Sequence, residues 1–170
     1  MIRFIVPAIP IAQPRPRATL AHGGKGARIH EVTHIKNQIT GERKPHPIAA
    51  FKASMLHESA LAYSGAPLAG ALSVRFVFVM PRPISMRWRS RPTPRAWHTK
   101  KPDAENIAKA AIDALTGLLW IDDAQVVQLA VTKVIASGDE QPAVFVEVEE
   151  LTNVPVHGVQ QDLFQEAEDA

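Results

Sequence analysis

The strongest pattern in the chain lies near its middle. Leu72-Ser73-Val74-Arg75-Phe76-Val77-Phe78-Val79-Met80 is β-branched and aromatic with no turn residue inside it. Such a run predicts a buried strand. Three further segments read as strands: Ile2–Val6, Val126–Ala136, and 143–149, where Val144, Val146 and Val148 alternate with Phe145, Glu147 and Glu149. Gly138-Asp139 supplies a turn between the last two, which predicts a terminal hairpin. Leu119–Ile121 reads as a short strand running into Asp122-Asp123.

Two segments carry helical periodicity. Over 103–117, Ile107, Ala108, Ala111, Ile112, Leu115 and Leu118 fall on one stripe at 100° per residue. Glu105, Asn106, Lys109 and Asp113 fall on the opposite side. Over 47–63, Pro47 suits a first turn, and Ile48, Phe51, Met55, Leu56 and Ala62 gather largely on one side. Between these elements lie two stretches without a core pattern. Residues 7–46 begin with dense proline and contain Gly23-Gly24-Lys25-Gly26; they read as an extended segment followed by a mobile basic loop, with a short strand near Arg28–Val32. Residues 81–102 hold many prolines and no acid and read as irregular. The order predicts an α+β domain, a small mixed or antiparallel sheet packed with two main helices over 1–150. Residues 151–170 read as an acidic tail.

Composition narrows the class. At 170 residues with 46% hydrophobic and 21% charged content, the chain suits one soluble domain. No apolar run is long enough for a membrane span, and Met1–Pro7 lacks the features of a signal peptide. The chain has no cysteine, which excludes disulfides and thiolate metal sites and fits a cytoplasmic location. A nucleotide fingerprint is also missing, since the Gly23–Gly26 cluster lacks its strand–loop–helix context.

The net charge of +2 hides a division. Residues 1–102 hold 17 of the 19 Lys and Arg but only 3 of the 17 acids; residues 103–170 hold 2 and 14. This polarity points to a basic surface for a polyanion and an acidic cluster with a different task.

Asp103 and Glu105 open the clearest helix. Capping preference accounts for both on its own, and Lys109 with Asp113 makes an ordinary i,i+4 pair. Asp122-Asp123 is harder to explain by capping of a long helix. Two adjacent carboxylates after the greasy Leu118-Leu119-Trp120-Ile121 repel one another, and holding them beside Asp103 and Glu105 requires a cation; a simple turn is the other reading. Oxygen-only donors suit Mg²⁺ or Mn²⁺, which retain waters and bridge to phosphate. Lys109 is placed to hold a phosphate or assist a leaving oxygen. Directly upstream, Arg82, Arg87, Arg89, Arg91, Arg95, Lys100 and Lys101 are interleaved with Trp88 and Trp97. Guanidinium groups bind phosphates in bidentate fashion and indoles stack on unpaired bases, so this arm, with Arg15 and Arg17, is a candidate DNA surface.

The run His98-Thr99-Lys100-Lys101-Pro102-Asp103-Ala104-Glu105-Asn106-Ile107-Ala108-Lys109, on to Asp113-Ala114-Leu115, then Trp120-Ile121-Asp122-Asp123-Ala124-Gln125-Val126-Val127, resembles the signature of RusA-family Holliday junction resolvases. Val79-Met80-Pro81-Arg82-Pro83 and Pro14-Arg15-Pro16-Arg17 extend the resemblance more weakly over 1–150. The resemblance implies metal-binding carboxylates at Asp103, 105 and 123, with Asp122 in reserve, and a catalytic Lys109. It further implies a homodimer that uses Mg²⁺, with Mn²⁺ as substitute, to nick a four-way DNA junction in recombination and repair, often in phages. The chain departs from the family at Glu105, where Asp is usual. A branched-DNA binding protein without catalysis, and a nuclease acting on flaps, are the alternatives.

Overall fold

The computed structural model describes residues 1–15, 17–20, 27–30, 33–36, 39–87 and 93–152, with only the backbone of 17–20 and 27–30. In chain order the elements are β1 (Ile2–Val6), β2 (Arg17–Leu20), β3 (Ala27–His30), β4 (His34–Lys36), β5 (Arg43–Pro45), α1 (Ile48–Ala62), β6 (Ala71–Met80), β7 (Ala96–Trp97), α2 (Ala104–Leu115), β8 (Val126–Ile135) and β9 (Ala143–Leu151). The α+β expectation holds: two helices pack on a five-stranded mixed sheet of order β1-β9-β6-β8-β7.

The buried strand predicted from residues 72–80 is the centre of that sheet. Its register lays apolar side chains in rows across three strands and into a fourth. Val6, Val144 and Phe78 share one row, Phe4, Val146, Phe76 and Val131 the next, and Ile2, Val148, Val74 and Leu129 a third. Phe76 and Phe78 stack with ring centroids 5.5 Å apart. α2 closes over this face with Ile107, Ala108, Ala110, Ala111, Ala114 and Leu115 buried, its alanines letting α1 approach closely. The opposite face is open and polar: Glu147 accepts from Arg3 at 2.6 Å and faces Arg75 at 3.8 Å.

Three expectations need correction. The last two strands are not a hairpin, because β6 lies between them, parallel to β8 and antiparallel to β9. The Gly138 turn carries the chain over the end of β6, where Pro81 stops the ladder and Ala136 N–H donates to the Met80 carbonyl at 2.9 Å. On α1 the buried stripe is Ile48, Phe51, Met55 and Ser59, while Leu56 and Ala62 are exposed. Leu56 lies 100° round from Met55, and Ser59 takes the next inward position by donating its hydroxyl to the Leu56 carbonyl. Leu119–Ile121 is not a strand; Trp120 makes only isolated bridges to Leu68 and Thr116.

The segment read as a mobile basic loop contains two small antiparallel pairs, β2 with β3 and β4 with β5. The strand anticipated near Arg28–Val32 is β3 at Ala27–His30. No helix among the described residues is long and apolar enough to cross a membrane.

Candidate active site

α2 begins at an unusually well-anchored point. Lys133, on β8, lies on the helix-covered face in the row of Phe78 and donates from Nζ to the carbonyls of Lys100, at 2.7 Å, and Pro102. Gln13 N–H donates to the Asn106 carbonyl at 2.9 Å, so the proline-rich segment after β1 is tied to the same helical turn. The Lys101–Pro102 peptide is cis. The resulting open cleft, about 560 Å³, is lined by Gln13, Arg15, Lys101, Pro102, Asp103 and Asn106.

Asp103 is the N-cap of α2, with extended backbone angles, yet its side chain makes no capping hydrogen bond. Its carboxylate, that of Glu105 and the ammonium of Lys109 are exposed and have no partner among the described residues. The i,i+4 pair of Lys109 with Asp113 does not form, because Asp113 pairs with Lys52 of α1 at 3.5 Å. Capping and surface pairing therefore leave three charged groups of this helix face unaccounted for.

Sequence reasoning misses Lys133, although a lone cation between Val131 and Ile135 on an otherwise apolar strand face is its signal. Lys133→Met keeps the stem and removes two charge-assisted hydrogen bonds. It is expected to lower catalytic turnover about tenfold through a displaced start of α2, while leaving far-UV circular dichroism unchanged. Neighbouring His98 donates its backbone N–H to the Lys133 carbonyl at 3.2 Å, and its ring Nδ1 is buried without a partner. Burial, then the charges of Lys133 and Lys100, pushes its pKa below the ordinary histidine value.

The second acidic position is built by a tight turn. Trp120 and Leu119 are fully buried, and Trp120 Nε1 donates to the Thr116 hydroxyl at 3.0 Å. Gln125 ties the turn after them to the end of the sheet. Its Oε1 accepts from the N–H groups of Ile121 and Asp122, and its Nε2 donates to the carbonyls of Leu68 and Gly70, all at 2.9 Å. Asp122 accepts from Ala124 N–H at 2.9 Å, capping a short 3-10 turn of Asp123–Gln125. The turn reading thus describes Asp122, whereas the Asp123 carboxylate is exposed and unpartnered among the described residues.

These two acidic positions do not meet within one chain. α2 starts beside Lys133 and ends beside Trp120, so it runs antiparallel to the strand that comes after it. Asp103 and Glu105 stand at the start of the helix and Asp123 at the start of the strand, which are opposite ends of this unit. From Val126 to Lys133 alone is about 23 Å at roughly 3.3 Å per residue. Among the described residues no three carboxylate or imidazole groups gather closely enough to hold a metal ion. The donors have the right chemistry for Mg²⁺, all oxygen, but a single chain does not assemble them.

The basic arm divides by task. Arg82 leaves the candidate DNA surface: it is 7% exposed, and its guanidinium donates to the carbonyls of Ala136, Met86 and Pro94. Arg95 is held by Glu140 and lies over the Phe145 ring, 5.4 Å from its centroid. Arg15, Arg87, Lys100 and Lys101 are exposed with no side-chain partner among the described residues, and Trp97 is 75% exposed beside them in sequence. Arg17 opens β2. Arg89, Arg91 and Trp88 lie outside the described residues, as does the acidic tail beyond Thr152.

The Arg95 hydrogen bonds, joined by the Ser137 N–H and hydroxyl, hold the Glu140 carboxyl down at about 2, against an ordinary 4.5. A depressed carboxylate stabilises the fold above its unfolded pKa and loses that contribution as pH falls through the folded one. Glu140→Gln is therefore expected to flatten the fall in thermal midpoint between pH 5 and pH 2. The difference in stability at neutral pH should be on the order of 1–2 kcal/mol, after screening at the half-exposed Arg95. Glu147, also held low by Arg3, remains in both proteins.

Comparison with known proteins bears on the same residues. The family model described as Endodeoxyribonuclease RusA matches residues 7–149. An uncharacterized protein, YqaN of Bacillus subtilis (strain 168), is 28% identical over 162 residues, covering 89% of this chain and 97% of the relative.

Proposed function

This chain belongs to the Endodeoxyribonuclease RusA family, and from that premise we propose that it is a Mg²⁺-dependent endodeoxyribonuclease selective for branched DNA. Four-way junctions are its substrate, opened by paired phosphodiester hydrolysis during recombination or repair. Asp103, Glu105 and Asp123 are the cation ligands, Asp122 contributes a further oxygen, and Lys109 is the catalytic lysine facing the scissile phosphate. The cation, for which Mn²⁺ substitutes, supplies Lewis-acid stabilisation of the phosphate's charge.

The observation that carries this reading is the cleft at the start of α2. There an uncommitted carboxylate, Asp103, lies beside Arg15 and Lys101. Cations flanking an acid place a phosphodiester against the acid while offsetting its repulsion of the backbone. Arg87 and Lys100 extend the phosphate track. Trp97 offers an indole to bases unpaired at the branch point.

The separation of the acids within one chain favours a second reading, a branched-DNA binding protein without catalysis. Labelled four-way junction incubated with the protein and Mg²⁺ separates the two. Paired, symmetry-related nicks, absent with chelator and not competed by linear duplex, are the expected outcome. Salt-sensitive junction binding with no nick in either Mg²⁺ or Mn²⁺ would establish the second reading instead.

A further inference from the structure

β8 has one occupied edge and one free one. β6 pairs with it from Val126 to Ile135, but on the other side β7 reaches only Val134 and Ile135, extended by His98 at Lys133. Between them Val127, Gln128, Leu129 and Ala130 are all exposed, two pointing to each face of the sheet. Residues 126–132, Val-Val-Gln-Leu-Ala-Val-Thr, contain no charge and no proline. A long apolar edge with none of the usual blocking devices pairs readily with another strand. On the helix-covered face, Val127 at 60% and Leu129 at 47% exposure end their rows in open solvent.

The occupant is identified by what pairing would do to the acids. An antiparallel pair of identical strands is self-complementary about a two-fold axis. With that axis near Gln128–Leu129, position 123 of one copy falls opposite positions 133–135 of the other. Lys133 is the residue that holds the Pro102 carbonyl, one residue before Asp103. The same antiparallel run that keeps Asp123 away from Asp103 in one chain brings it to the Asp103 end of the next.

We propose that two copies of this chain pair through the free edge of β8, and that each acidic site is shared, with Asp103 and Glu105 from one subunit and Asp123 from its partner. The sharing rests on the nuclease reading for its purpose, whereas the edge pairing does not. It yields two equivalent sites related by the two-fold axis, matching the two equivalent strands of a junction.

Leu129→Lys places a charge on an exposed position of the pairing edge. Sedimentation at micromolar concentration should show the wild type as a dimer and this variant as a folded monomer by circular dichroism. Mn²⁺ titration followed by electron paramagnetic resonance should show one site per chain in the dimer and loss of that site in the monomer. A monomeric wild type, or a dimeric Leu129→Lys, overturns the pairing; a monomer that binds Mn²⁺ as the dimer does overturns the sharing.

Mixed dimers supply the second arm. A dimer of one Asp103→Asn chain with one Asp123→Asn chain should keep one intact site, binding half the wild-type Mn²⁺ and nicking one strand per junction. Either homodimer should do neither. A mixed dimer without Mn²⁺ binding overturns the sharing. Half-stoichiometric Mn²⁺ binding without nicks, also without nicks by the wild type, sustains the sharing and removes the nuclease reading instead.

Discussion

Asp103→Asn is expected to lower junction nicking by about a thousandfold while leaving junction binding and the thermal midpoint nearly unchanged. The rate loss comes from removing one full negative charge from a reaction centre organised around charge, where a single electrostatic contact contributes on the order of 10²–10³. The silence in stability comes from local structure. Asparagine is as good an N-cap as aspartate, and the Asp103 side chain makes no capping hydrogen bond to lose. Asp122→Ala is the contrasting change. Its carboxylate accepts from Ala124 N–H, so its removal should cost about 1 kcal/mol of stability through the lost cap. Single-turnover cleavage of a labelled junction and thermal melts of the two variants check both halves. Cleavage by Asp103→Asn at the wild-type rate removes Asp103 from the site.

The parts of this fold legible in sequence are those where one element's pattern decides its own structure. The β6 run, the alternation of Val144, Val146 and Val148, and the Ile107–Leu115 stripe each report burial directly, and the structure buries them. The hairpin expectation failed because a turn at Gly138 fixes the direction of the return, not the neighbour it reaches; β6 occupies the intervening position. β2 to β5 were poorly legible because strands of three or four residues, polar and set among glycines, carry too few positions for alternation to show.

The site was legible as residue types and poorly legible as a place. Motif spacing picked out Asp103, Glu105 and Asp123, but distance along a chain does not say which end of an element each occupies. The antiparallel return of β8 along α2 decides that, and it is a tertiary fact. Lys133 and Gln125 act on backbone carbonyls 31 to 57 residues away, contacts that no local periodicity encodes. Arg82 shows the same difficulty from the other side, since composition grouped it with phosphate-binding cations.

Arg82→Met should therefore separate structure from recognition. The buried guanidinium links three parts of the chain: the 3-10 turn at Met86, the segment entering β7 at Pro94, and the crossover from β8 to β9 at Ala136. Methionine fills similar apolar volume but leaves three carbonyls without their donor. Hydrogen bonds to a charged group contribute about 1.5–3 kcal/mol each, and partial rehydration of the two outer carbonyls offsets part of the loss. The net expectation is about 3–4 kcal/mol lower stability by urea unfolding, among the largest for a single charged residue here. Junction affinity measured well below the unfolding transition should keep the wild-type dependence on salt, because Arg82 does not reach a phosphate. Lys101→Ala should do the reverse. Its exposed, unpartnered ammonium beside Asp103 contributes little to stability, and its loss should reduce the slope of log affinity against log salt by about one. If Arg82→Met instead lowers that slope with stability intact, its guanidinium binds DNA, and the crossover between β8 and β9 is held in place without it.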